Sequence, residues 1–293
     1  MITDYINPTT CFPCILTNEF GSHSSILAVQ KLPAPPLHSL YIGVSGFFNY
    51  NLIALRKPSR VFLVDCNPYI AEVHSILKKV IVTSSDPKNC LSAFFQEIDK
   101  RPLSHFYYCQ RGSAKAEILE ELSHPTSWLG SQEAFSTIQR LYQEKRIEIW
   151  MGNLLDPKTI SLLQNKIQEA HLNIGLLYLS NCEDSDWESS CNWQSISRDA
   201  QPLFSSIRKA ISPLLQPTSY VLVARNADYL VQKIYRPGAY LQGKEEYIFR
   251  YRHPMKLQCR FFLDQHQQKL LTSMLVIVSG VIAWKIYSYT HLS

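Results

Sequence analysis

Apolar residues along this chain fall into short, separated runs rather than one continuous pattern. Ser39–Val44, Arg60–Asp65, Arg146–Met151, Asn173–Leu179 and Ser219–Ala224 are compact stretches rich in β-branched and aromatic residues. Their length and composition predict buried strands. Between them the apolar spacing changes to three and four. Phe47–Arg56 carries it, and Pro68 opens a run continued by Ile70, Val73, Ile76 and Leu77. Asp86-Pro87 and Asp156-Pro157 read as helix caps followed by a first-turn proline. Further helices are predicted over Ala114–Leu122, Gln132–Glu144, Asp156–Ala170 and residues 198–214.

Strands alternating with helices predict an α/β, Rossmann-like fold. Its sheet is mainly parallel, with helices on both faces. A helical insertion occupies about residues 86–145, between the second and third strands. Glu246–Tyr251 and Gln258–Phe262 alternate enough to predict a closing antiparallel pair. The prolines of Leu32-Pro-Ala-Pro-Pro36 make residues 1–37 an irregular N-terminal segment. Residues 38–265 then form one domain.

Near the C-terminus, Leu270–Trp284 runs fifteen residues without a charge, bracketed by Lys269 and Lys285. Fifteen helical residues reach only about 22 Å, but extending the helix to Tyr289 lets it cross a bilayer, with Lys285 snorkelling. A single transmembrane helix is therefore expected over residues 268–289; a buried C-terminal helix is the alternative. Arg250, Arg252, Lys256 and Arg260 lie just before it, which places the main domain on the cytoplasmic side.

Composition adds limits. The 293 residues are 46% hydrophobic and 18% charged, enough apolar surface for a sizeable core. A net charge of +5 is too mild to imply nucleic acid but suits an anionic membrane surface. Of eight cysteines only Cys11 and Cys14 form a close pair, and one lone pair is a poor metal or redox signal, so no metal is expected. There is no G-x-G-x-x-G, no P-loop, no G-x-S-x-G and no H-E-x-x-H.

In open α/β sheets ligands lie beyond the carboxyl ends of the strands. Four groups of residues fall there. Gly43-Val-Ser-Gly46, with Asn49 close behind, suits close approach of the backbone to a ligand, and equally an ordinary tight turn. Asp65, roughly 20 residues on, suits ribose hydroxyls or a helix cap. Gly152-Asn153 suits the border of an adenine or a turn. Ser180-Asn181-Cys182-Glu183-Asp184 suits the receiving side of a reaction. There Asn181 would orient a nucleophile and Glu183 or Asp184 would act as base; a solvated acidic loop is the alternative.

In this order the four groups resemble the ligand-facing loops of class I S-adenosylmethionine-dependent methyltransferases. The stretch YIGVSGFFNYNLIALRKPSRVFLVDCNP is similar to a little-characterised bacterial branch of that superfamily, and YLSNCEDSDW to a segment found there and in betaine-lipid-type synthases. The likeness covers roughly residues 38–225. It implies S-adenosylmethionine as cofactor, held around Gly43, Gly46, Asn49, Asp65, Asn153 and Ser180, with Asn181, Glu183 and Asp184 toward the acceptor. It departs from the family pattern where Phe47 and Phe48 replace a third glycine, where no acid ends the first strand, and where no amine-methylation motif occurs. The implied activity is transfer of a methyl group, or of the aminocarboxypropyl group, to an acceptor that the resemblance leaves undefined; the expected membrane tether alone favours a lipid or membrane-associated protein. A non-catalytic cofactor-binding or scaffold module with a degenerate methyltransferase fold is the other reading.

Overall fold

The computed structural model describes residues 22–100, 119–120, 122–180, 182, 207–224 and 231–251. Seven strands form one sheet: β1 (Ser39–Gly43), β2 (Arg60–Asp65), β3 (Ile147–Met151), β4 (Asn173–Ser180), β5 (Tyr220–Val223), β6 (Lys233–Tyr235) and β7 (Tyr247–Arg250). Their order is β3-β2-β1-β4-β5-β6-β7. From β3 to β5 every pairing is parallel; β6 runs antiparallel to β5, and β7 to β6. Chain order reverses between β1 and β4, so the switch point lies beyond their carboxyl ends.

The central strands are apolar throughout because both faces are covered. All five residues of β1 are buried, and all of β4 after Asn173. One face carries Tyr41, Leu63, Tyr178 and Leu222 against α2 (Phe48–Arg56), α3 (Pro68–Thr83), α4 (Pro87–Asp99) and α5 (Gln132–Gln143). The other carries Ile42, Val64, Leu177 and Val221 against α6 (Pro157–Glu169) and the helical residues 207–211. A short helix α7 (Pro237–Leu241) follows β6. Caps fall where side-chain oxygens meet first-turn amides: Asn67, Asp86, Ser131 and Asp156 each accept from a backbone N–H of the helix they start.

One expectation needs correction. The N-terminal segment is not wholly irregular, because Ser22–Gln30 forms a helix, α1. It shows little amphipathic signal: only Ser25, Ile26 and Val29 are buried. Its end is secured from outside, since the buried Arg56 guanidinium donates to the carbonyls of Val29, Leu32 and Pro33. β7, expected within Glu246–Tyr251, pairs antiparallel with β6, which at three residues is too short to give a periodic signal. The stretch Gln258–Phe262 lies outside the described residues, as does the apolar run Leu270–Trp284 with the C-terminal helix expected from it. Among the described residues no helix is long and apolar enough to cross a membrane.

Candidate functional site at the strand-order reversal

The turn after β1 is built from behind by Asn49. Its side-chain nitrogen donates toward the carbonyls of Val44 (2.7 Å), Ser45 (3.0 Å) and Gly46 (2.8 Å). Its Oδ1 accepts from the Tyr41 hydroxyl at 2.8 Å. Two hydrogens shared among three carbonyls turn all three oxygens inward. Gly43 lies against this contact: a Cβ there would stand 1.9 Å from Asn49 Oδ1 and 2.7 Å from the Tyr41 ring. The glycine is thus required by the Tyr41–Asn49 pair.

At the tip, Ser45 is left-handed, with φ 68°. That conformation is unfavourable for a residue with a Cβ, and three bonds hold it. Its amide donates to Asp65 Oδ2 at 2.8 Å. Its carbonyl accepts from Asn49 and from His74 Nε2, the latter at 2.9 Å. Asp65 thereby bridges the loops after β1 and β2. Its other oxygen accepts from the Asn67 amide at 2.8 Å. Burial raises the Asp65 pKa, opposed by the amides of Asn67, Ser45 and Cys66, although part of the residue still reaches solvent.

The β3 loop joins the same edge. The Gly152 amide donates to the Asp65 carbonyl at 3.0 Å, and Gly152 leaves room for Thr159 of α6, whose side chain a Cβ would meet at 2.8 Å. Asn153 is exposed and its Oδ1 accepts from the Leu155 amide, a turn-forming contact. On β4, Ser180 is buried and left-handed, with φ 52°, and its carbonyl accepts from the Ala224 amide. β4 meets the glycine turn through the Val44 amide, which donates to the Tyr178 carbonyl at 3.1 Å.

The fold therefore gathers Gly43, Gly46, Asn49, Asp65 and Asn153 along adjoining loops, with Ser180 on the neighbouring strand. It divides them into two kinds. Gly43, Gly46, Asn49 and Ser180 are buried and shape the turns from within. The surface falls to Ser45, Asp65, Cys66, Met151, Asn153 and Cys182. Asn181, Glu183 and Asp184 lie outside the described residues.

Three contributors were not singled out from sequence. Met151, opposite Asp65 in register, is 52% exposed, an apolar side chain beside the acid. Ser45 gave no signal, since left-handed backbone at serine has no sequence signature. His74 was legible in principle: it interrupts the apolar stripe of α3 between Val73 and Leu77 and is buried. Burial brings its pKa down to about 4, so the ring is neutral.

Chemically, the edge offers a carboxyl group that accepts from three backbone amides and keeps about one of its roughly four acceptor positions, beside the exposed apolar Met151. Among the described residues there is no group of three or more metal-ligating side chains. No curated protein matches this sequence. The family model described as Domain of unknown function (DUF7790) matches residues 15–105 and 108–188, more than half of the chain, and the chain belongs to that family.

Proposed function

We propose that the protein is an S-adenosylmethionine-dependent transferase, a methyltransferase by preference, tethered to a membrane through residues 268–289. The observation that carries this reading is the 2.8 Å contact between the Ser45 amide and Asp65 at the strand-order reversal. It draws the β1 and β2 loops together, with Met151 exposed next to the acid. A ribose hydroxyl needs an acceptor, and a carboxylate offers about four lone-pair sites; three backbone amides take three of them on Asp65 and leave about one for a hydroxyl. An adenine needs an apolar neighbour, and the exposed thioether side chain of Met151, opposite Asp65 in register, supports that role.

Methyl transfer is an in-line displacement. A lone pair of the acceptor forms the bond to the methyl carbon while the carbon–sulfur bond breaks and its electrons return to sulfur. Alignment and dry walls contribute most of the rate, so few fixed catalytic groups are needed. Asn181, Glu183 and Asp184, which follow β4 in sequence, are assigned to the acceptor side; a carboxylate there takes a proton when the acceptor must lose one.

A second reading, a non-catalytic module, draws on a different observation. The turn satisfies its own polar groups, and Phe47 and Phe48, in place of a third glycine, are buried against Phe94 and Tyr178. Calorimetry of the full chain with S-adenosylhomocysteine separates the two. We expect micromolar binding, weakened at least roughly tenfold by Met151→Glu with no change in melting temperature, because Met151 is exposed. A folded protein that gives no heat of binding removes the transferase reading and leaves the second.

The tether is tested separately. Deleting residues 268–293 is expected to move the protein from the membrane pellet to the supernatant. Identical fractionation of both forms rejects the anchor.

A further inference from the structure

Beneath the glycine turn runs a chain of buried polar side chains that the cofactor reading leaves unused. His74 Nε2 lies 2.9 Å from the Ser45 carbonyl, His74 Nδ1 lies 2.9 Å from the Tyr50 hydroxyl, and the Tyr50 and Tyr142 oxygens are 2.7 Å apart. The proton positions follow from chemistry. A carbonyl only accepts, so Nε2 carries the hydrogen. The neutral ring then leaves Nδ1 bare, and Tyr50 donates to it. The Tyr50 oxygen in turn accepts from Tyr142. The chain thus has one direction, from Tyr142 on α5, through Tyr50 on α2 and His74 on α3, to the strained residue at the turn.

We propose that His74 is a positioning residue: it holds Ser45 left-handed, so that the Ser45 amide stays on Asp65 and the turn keeps the shape an adenosyl ligand requires. This rests on the ligand reading above. Asn49 divides two hydrogens among three carbonyls, so His74 is the donor that serves Ser45 alone. The imidazole cannot turn without breaking its bond to Tyr50. Tyr50 is fixed in place by Tyr142 and by the neighbouring Trp128 ring, 5.1 Å away between centroids. All four side chains are at most 2% exposed, so water does not compete.

The test compares His74→Phe, which fills the space but makes neither bond, with His74→Gln, whose amide reaches both partners. Hydrogen exchange at the Ser45 amide and calorimetry with S-adenosylhomocysteine are read together in the full chain. In His74→Phe, exchange at Ser45 is expected to speed up roughly tenfold and affinity to fall roughly tenfold, the loss of about one hydrogen bond's worth. His74→Gln is expected to stay within about threefold of the parent on both readouts. Tyr142→Phe removes the far end of the chain and controls for general destabilisation; it should leave the turn unchanged, because Tyr50 still donates to His74. A folded His74→Phe that matches the parent, or that merely matches Tyr142→Phe, overturns the proposal. Should His74→Phe not fold, His74→Asn replaces it: its shorter amide reaches Tyr50 but not Ser45, and it must show the faster exchange. If the parent binds no S-adenosylhomocysteine, the ligand reading fails, while exchange at Ser45 still decides whether His74 positions the turn.

Discussion

Gly43→Ala is expected to cost about 3 kcal/mol of folding stability, at the upper end for overpacking, because the added methyl has nowhere to go. The nearest atom, Asn49 Oδ1, is the acceptor for the Tyr41 hydroxyl, and both residues are buried. Moving Asn49 aside releases the carbonyls of Val44, Ser45 and Gly46 from their donor; moving Tyr41 aside disturbs the core face of β1. Urea denaturation measures the loss as a lower midpoint at unchanged slope. A double-mutant cycle tests the cause. In an Asn49→Ala background the obstructing oxygen is gone, and Gly43→Ala should then cost under about half as much, since residues in contact couple. Full additivity, or a Gly43→Ala midpoint equal to the parent's, would show that the pair does not govern this glycine.

The same local geometry explains which features of the fold are legible in the sequence. Strands β1 to β5 were readable because each is a short run rich in β-branched and aromatic residues; β1, β2, β4 and β5 are almost wholly buried, while the edge strand β3 is only half-buried but keeps the same composition. Helix starts were readable at Asp86-Pro87 and Asp156-Pro157 because cap and first-turn proline are neighbours in sequence. Helix α1 and strand β6 were not. The first is held by a guanidinium twenty-three to twenty-seven residues away, and the second is three residues long. Sequence showed which loops meet at the site: the spacing from the glycines to Asp65 corresponds to a direct hydrogen bond. It did not show which residues face outward. Glycine is conspicuous in a sequence, but here Gly43 and Gly46 are buried. The residue that reaches solvent is Ser45, whose conformation depends on Asp65, Asn49 and His74 together.

Acid is expected to weaken the fold through His74. Its pKa is about 4 in the folded protein against 6.5 for an ordinary imidazole, and burial is the main cause. Between those values the unfolded chain binds a proton that the folded chain refuses, so stability rises with pH across that window. The contribution is fully present above about pH 6.5 and is lost as the pH falls toward about 4; a shift of this size corresponds to roughly 3 kcal/mol. Asp65 acts in the opposite sense, because its raised pKa makes the folded state the better proton binder at that site. A single stability curve therefore mixes the two, and the comparison that isolates the histidine is with His74→Gln, which does not titrate. Urea midpoints measured from about pH 7 to about pH 3 should fall more steeply for the parent than for His74→Gln down to about pH 4, below which the slopes of the two curves should become equal. Parallel curves for the two proteins would mean that His74 takes up its proton in the folded state as readily as in the unfolded one, and that the imidazole is not the sealed, neutral donor on which the Ser45 turn depends.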